Sequence, residues 1–326
     1  MRKSSTNKLM TLNFWRICTA NLLLFTSVYM LFPLLPFVMG QQLNVSVGEA
    51  GSMFLFFAAA MFFVGPFHAY LVDEYKRKHV LLFSTLVMLA ATVGYAFVDS
   101  YEKLMLLALV QGACFGLATT AGITVAIDIT TSPRRSAGNM VYAWAARLGM
   151  LVGVGMGIWL YGVYGFRMVV YLSVAIGIVS FLFASRVYVA FRAPIGMALC
   201  NIDRFLLPRA WVLATNMLLV AFIPGVLLPS LMFAGNCWAL PTLAVLAFIV
   251  IPSMKMFVKL SYHCQRGTAN TTCHLSMEAG FLIGVYVACR LMNETQIYHA
   301  ASVAAILALF FFVLLTYPYY KKKRVR

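Results

Sequence analysis

Arg147 and Glu278 are the two clearest ionisable side chains inside long apolar runs. A charge in such a run is costly in hydrocarbon, so each is a candidate for ion coupling or solute binding. Their positions are related. Arg135-Ser136-Ala137-Gly138-Asn139 is followed by Arg147, Gly149 and Gly153, and Arg266-Gly267-Thr268-Ala269-Asn270 by Glu278, Gly280 and Gly284. The offset is constant, since 266 − 135, 270 − 139, 278 − 147, 280 − 149 and 284 − 153 all equal 131. Each copy is a polar turn leading into a glycine-bearing apolar segment. The repeat turns are marked by Arg135 and Asn139, and by Arg266 and Asn270. Such a repeat in so apolar a chain points to a membrane transporter built from two halves.

The elements that carry these residues follow from composition. Of 326 residues, 63% are hydrophobic and 10% charged, at a mean hydropathy of +0.88. A soluble domain could not bury that much apolar surface, so lipid must be part of the solvent. The net charge of +16 could suggest nucleic acid, but nearly all the Lys and Arg lie between the apolar runs or at the termini, which argues against that partner. The seven cysteines form no Cys-x-x-Cys and read as small hydrophobes.

Apolar stretches long enough to cross ~30 Å of hydrocarbon recur at about 17–38, 51–72, 79–98, 104–127, 140–162, 167–186, 209–231, 237–258, 274–290 and 299–318. All are expected to be helices, the open segments that satisfy their own backbone in lipid. The first follows Arg2, Lys3 and Lys8 without a small-residue cleavage site, and is read as a retained span. One set of ends carries most of the basic residues, including Lys76-Arg77-Lys78, Arg134-Arg135, Arg186, Arg192, Arg204, Arg209, Lys255, Lys259, Arg266 and the tail from Lys321 to Arg324 with Arg326. The other carries Lys103, Arg167 and Arg290. The basic side is expected to be cytoplasmic, with both termini there and an even number of spans.

The expected organisation is a six-helix half over 1–187, a cytoplasmic linker over 188–208 containing Pro194 and Pro208, and a half of about four helices over 209–326. The first span begins near 17 and the seventh near 209, an offset of 192, and 192 − 131 = 61 residues is what the second half lacks. Two helices of ~20 residues with their connections fill such a gap.

Repeat, linker and one loop together resemble the major facilitator superfamily (MFS) of secondary transporters. That family's signature between spans two and three is Gly-x-x-x-Asp-Arg-x-Gly-Arg-Arg. Here it reads Ala69-Tyr70-Leu71-Val72-Asp73-Glu74-Tyr75-Lys76-Arg77-Lys78, matching at Asp73, Arg77 and Lys78, with Ala69, Glu74 and Lys76 replacing the glycines and first arginine. The resemblance implies an all-α polytopic MFS-like two-half bundle of about ten helices, six plus four, around a cavity that opens by alternating access. It implies a cytoplasmic gate of Asp73, Arg77 and Lys78, with Asp73 facing the start of the eleventh span and Arg77 pairing with Asp128. The bland alternative is a solvated loop that serves topology only. Ala108-Leu109-Val110-Gln111-Gly112 resembles the family's Arg-x-x-Gln-Gly without the arginine associated with proton coupling. Gly153-Val154-Gly155-Met156-Gly157 resembles the antiporter signature without its proline, which weakens a proton-driven export reading.

In that fold the fifth and eleventh spans flank the cavity from opposite sides, so Arg147 and Glu278 are not expected to pair. Glu278 is expected near His68, and Arg147 is expected to face an eighth span that is missing. Loss of two helices would expose the fifth and tenth spans unless a second copy, as a homo-oligomer, covers them. Thr26, Ser27, Tyr29, Gln111, Asn216 and Ser253 are the polar candidates to line the cavity; their scarcity suits a small amphipathic solute. For each charge or hydroxyl the competing reading is snorkelling, or satisfaction of a neighbouring backbone group.

His263-Cys264 and Cys273-His274 offer two His and two Cys within a dozen residues, but adjacent pairs converge poorly on one ion, and no metal or other cofactor is expected. No paired carboxylates, nucleophile–histidine arrangement or phosphate loop argues for an enzyme. The readings that remain are a secondary transporter of the bacterial inner membrane, with export and a proton as coupling ion among its options, or a shortened relative that no longer transports or that serves as a membrane interaction protein.

Overall fold

The computed structural model describes residues 9–131, 134–190, 196–233, 235, 238–262 and 265–324. Arg2, Lys3, Lys8, Arg192, Pro194, His263, Cys264 and Arg326 lie outside the described residues. Among the described residues every regular element is helical. They are α1 (Leu12–Tyr29), α2 (Leu35–Leu43), α3 (Val47–Glu74), α4 (Arg77–Phe97), α5 (Tyr101–Asp128), α6 (Arg135–Tyr164), α7 (Phe166–Ser185), α8 (Pro208–Phe233), α9 (Ala239–Leu260), α10 (Arg266–Leu291) and α11 (Glu294–Lys323). Nine of these, α3 to α11, are long and apolar enough to cross a membrane.

The first span departs from the sequence reading. It starts earlier, at Leu12, where the Thr11 hydroxyl accepts from the Phe14 N–H, and breaks after Tyr29. Residues 30–34 form turns before α2 resumes the path. Pro33 and Pro36 have no N–H to give a helix, which is why a continuous apolar run becomes two pieces. The other helices start and stop on local chemistry. Ser46 and Glu49 form a capping box at α3, Ser100 caps α5, Asn293 caps α11, and Gly165 at φ 76° separates α6 from α7.

The repeat is visible in the packing. α1 lies against α6 and α7, and α8 lies against α10 and α11. A Cβ on Gly149 would stand 2.2 Å from the Leu22 carbonyl oxygen, and one on Gly280 would stand 2.1 Å from that of Leu218. The next pair repeats this: Gly153 against Thr26 at 2.6 Å, Gly284 against Phe222 at 2.5 Å. On α6 and α10 the offset is 131; on the facing helices 218 − 22 and 222 − 26 both equal 196. The difference, 196 − 131 = 65 residues, sharpens the 61 read from span starts. Backbones this close admit no side chain, so glycine at these four positions sets the registers of both pairs.

One expectation is corrected. The flank of α6 is not left open, because α9 packs along it while also touching α8 and α10. Ala143 of α6 shares a buried cluster with Leu207, Ala210, Leu213, Phe257 and Met277. A single helix therefore covers the α6 face, while α11, the tenth span, keeps much of its apolar surface exposed, Ile306, Leu309 and Phe310 among it.

Candidate functional site

Arg147 and Glu278 each stand twelve residues into their helices, about 18 Å along at the α-helical rise. Both are buried, at 1% and 3% exposure. Contrary to the expectation, they pair: Arg147 Nη2 donates to Glu278 Oε1 at 2.5 Å. The backbones of α6 and α10 make no extended contact; the two long side chains bridge the gap. The reason lies in the repeat. A residue that touches its own counterpart must sit beside the axis relating the two copies. Flanking helices meet there through their longest inward side chains.

The rest of the cluster completes the carboxylate's shell. The Tyr29 hydroxyl donates to Glu278 Oε2. Arg147 Nη2 also lies 3.4 Å from His274 Nδ1, Nη1 points 3.6 Å from Met150 Sδ, and the guanidinium carbon sits 5.5 Å from the Phe25 ring centre. Tyr29 stacks on Phe25 at 5.9 Å and meets the edge of Phe281 at 5.4 Å. The pair is thus closed in aromatic rings. Water screens it little, and removal of one partner would strand the other charge.

His68 does not meet Glu278. It lines a cavity of about 150 Å³ at the basic end, with Asp73, Arg77, Thr124, Arg204, Gly267, Thr268 and Thr271 among the walls. Arg77 pairs with Asp128 there. Asp73 accepts from the N–H groups of Gly196 and Met197 at 3.0 and 3.2 Å, and shares the cavity with the start of α10. Lys78 is partly buried on α4, outside that ion pair. Lys76, at the motif's second glycine, has φ 63°.

Of the cavity candidates, Tyr29 reaches the centre; Gln111, Asn216 and Ser27 bond between helices, Thr26 bonds within its own, and Ser253 lines a small void. Gln111 donates to Thr92 and accepts from Tyr95, tying α5 to α4. Asn216 donates to the Ala308 carbonyl, tying α8 to α11, and with Ser253 lines a void of about 20 Å³. Ser27 donates to Ser173 on α7, and Thr26 to its own helix at Leu22. Arg135 and Arg266 open α6 and α10. Asn139 and Asn270, one turn in, are buried, with amide atoms lacking a protein partner. Among the described residues no three His, Cys, Asp or Glu are grouped to hold a metal ion.

Sequence reasoning singled out His274 only as a metal ligand. Its place one turn before Glu278 was the available signal, since residues at i and i+4 share a helix face.

The family model of the Major Facilitator Superfamily matches residues 17–317. The chain belongs to the Major Facilitator Superfamily. The MFS-type transporter YtbD of Bacillus subtilis, itself uncharacterised, is 23% identical over 157 residues, which is 48% of this chain and 39% of that protein. The chain therefore aligns with well under two thirds of this relative. Among solved structures, the human organic anion transporter MFSD10 (TETRAN) superposes with a TM-score of 0.64 at 14% identity, covering 93% of this chain and 99% of that one. A mutant of the nucleoside transporter NupG gives 0.67 at 12% identity, covering 94% and 100%. The chain is thus a multi-pass membrane protein of this family, and the solved structures share its fold.

Proposed function

We propose that this MFS protein is a secondary active transporter that moves a small amphipathic solute by alternating access, with a proton as coupling ion and Glu278 as its carrier. The supporting observation is the buried Arg147–Glu278 pair on the axis between the repeats. Protonation of the carboxylate cancels the attraction that holds α6 to α10, so the proton and the mutual position of the two helices are linked. The sparse polarity around the pair suits an amphipathic solute. Export is the assigned direction on the family resemblance alone, since the antiporter stretch at Gly153 to Gly157 lacks its proline. We assign residues 1–187 and 209–326 to the two halves and 188–208 to the linker. The basic end is assigned to the cytoplasm of a bacterial inner membrane, with Arg77 and Asp128 as a latch there.

Proteoliposomes holding the full chain, under an imposed pH gradient and with ethidium as the amphipathic probe, test this. Gradient-driven movement is expected for the natural sequence. Glu278→Gln is expected to abolish its pH dependence while membrane insertion stays unchanged. An unaltered pH profile would remove Glu278 from the mechanism. The 65-residue shortfall favours a second reading, a relative that no longer transports; absence of gradient-driven flux in the natural sequence would support it.

A further inference from the structure

We propose that His274 carries protons between the basic-end cavity and the Glu278 carboxylate. This rests on the reading of Glu278 as the coupling group. Gly267, Thr271, His274 and Glu278 occupy i, i+4, i+7 and i+11 of α10 and so share one face. Gly267 and Thr271 line the cavity, whose other walls include His68, Asp73, Arg77 and Arg204. Thr271 and His274 are separated by about 4.5 Å of rise, and His274 and Glu278 by about 6 Å. His274 is the ionisable side chain that bridges this interval on the shared face.

Its hydrogen-bond chemistry fits the role. A guanidinium only donates, so the Arg147 Nη2 contact makes His274 Nδ1 an acceptor and puts the ring hydrogen on Nε2. Nε2 is buried without a protein partner, although the residue is 5% exposed. An unpaired buried N–H is costly, and a water reaching in from the cavity would satisfy it.

The transfer balances. When Glu278 is protonated, Arg147 loses its anionic partner and frees Nδ1. The carboxyl O–H then gives its proton to Nδ1 while the Nε2 hydrogen passes to water on the cavity side. One O–H and one Nε2–H bond break, one Nδ1–H forms, and water becomes hydronium. The carboxylate recaptures Arg147, and rotation of the ring restores the tautomer. One proton has moved from Glu278 to the basic end. Arg147 on α6 contacts His274, and Tyr29 on α1 reaches Glu278, which lies one turn on along His274's own helix; Cys273 precedes His274 there. From the other packed elements, His68, Asp73, Arg77 and Arg204 stand at the cavity, and Lys255 and Lys259 of α9 are exposed.

Infrared difference spectroscopy on the full chain in liposomes tests this. The protonated carboxyl band of Glu278 is assigned by its loss in Glu278→Gln. After a pH jump on the basic side, His274→Gln is expected to keep that band but slow its change by about 10²-fold. Added imidazole is expected to restore the rate. An unchanged rate in His274→Gln overturns the relay. Absence of a titrating Glu278 band in the natural sequence overturns the coupling reading instead. A second measurement needs no variant. Deuterium exchange at the imidazole C2 of His274 is expected within about tenfold of that at the exposed His79 and His299, as for a ring reached by solvent. Exchange held below a hundredth of theirs also overturns the relay.

Discussion

Single side chains in this protein are best understood by what each would leave behind if removed. Arg147 and Glu278 neutralise one another where water hardly screens, and Tyr29 takes the second carboxylate oxygen. Lys76 presents the opposite situation, a residue kept despite its backbone. It stands where the family motif has glycine, and its φ of 63° with ψ of 131° is costly for any side chain with a Cβ. Lys76→Gly is therefore expected to raise the stability of the detergent-solubilised protein by about 1 kcal/mol, net of the greater freedom glycine has when unfolded. Thermal unfolding checks this, and a lowered midpoint would mean that the Lys76 side chain contributes more than its backbone costs. The motif comparison showed that glycine was missing; only the dihedral angle shows that its conformation was retained.

Helices meet here through glycine, and the pattern separates two kinds of glycine on one helix. On α6, Gly149 and Gly153 face the α1 backbone and Gly157 that of Met30 just past it, whereas a Cβ on Gly155 or Gly162 would have nothing within 4 Å. Gly280→Ala would press a methyl into the Leu218 carbonyl at 2.1 Å and is expected to cost about 1–3 kcal/mol. Gly155→Ala is expected to be neutral or stabilising by up to about 1 kcal/mol, since alanine favours the helix. Parallel melting curves of the two variants check the contrast. Much of this scale was legible beforehand: the offset of 131 marked Gly149 with Gly280 and Gly153 with Gly284. What the offset did not contain was distance across the bundle. The spacing along α6 and α10 is a property of each helix, but a contact between Arg147 and Glu278 depends on how far apart the two helices stand across the bundle, a gap their long side chains bridge. Gln111 and Asn216, expected at a cavity, tie helices together for a related reason. A polar residue in a span satisfies whichever neighbour is nearest, and here those are Thr92, Tyr95 and the Ala308 carbonyl.

At the scale of the whole molecule the repeats are equivalent in packing but not in chemistry, and that difference can be tested. Arg147 and Glu278 are counterparts at offset 131, so exchanging them returns an arginine and a glutamate to the same axis. Each single change, Arg147→Glu or Glu278→Arg, buries two like charges and is expected to cost about 3–5 kcal/mol. The double exchange is expected to recover most of that loss, a coupling that a double-mutant cycle on unfolding midpoints measures directly. Function should not return with stability. At the offset of 196 set by the facing helices, the counterpart of Tyr29 is Gly225, which has no hydroxyl for a carboxylate at 147. The counterpart of His274 is Ala143, which has no ring to exchange a proton. The exchanged protein is thus expected to fold and insert but to lose pH-dependent flux. Full additivity of the two single losses would place the residues away from a shared axis, and recovery of flux together with stability would remove Tyr29 and His274 from the coupling path.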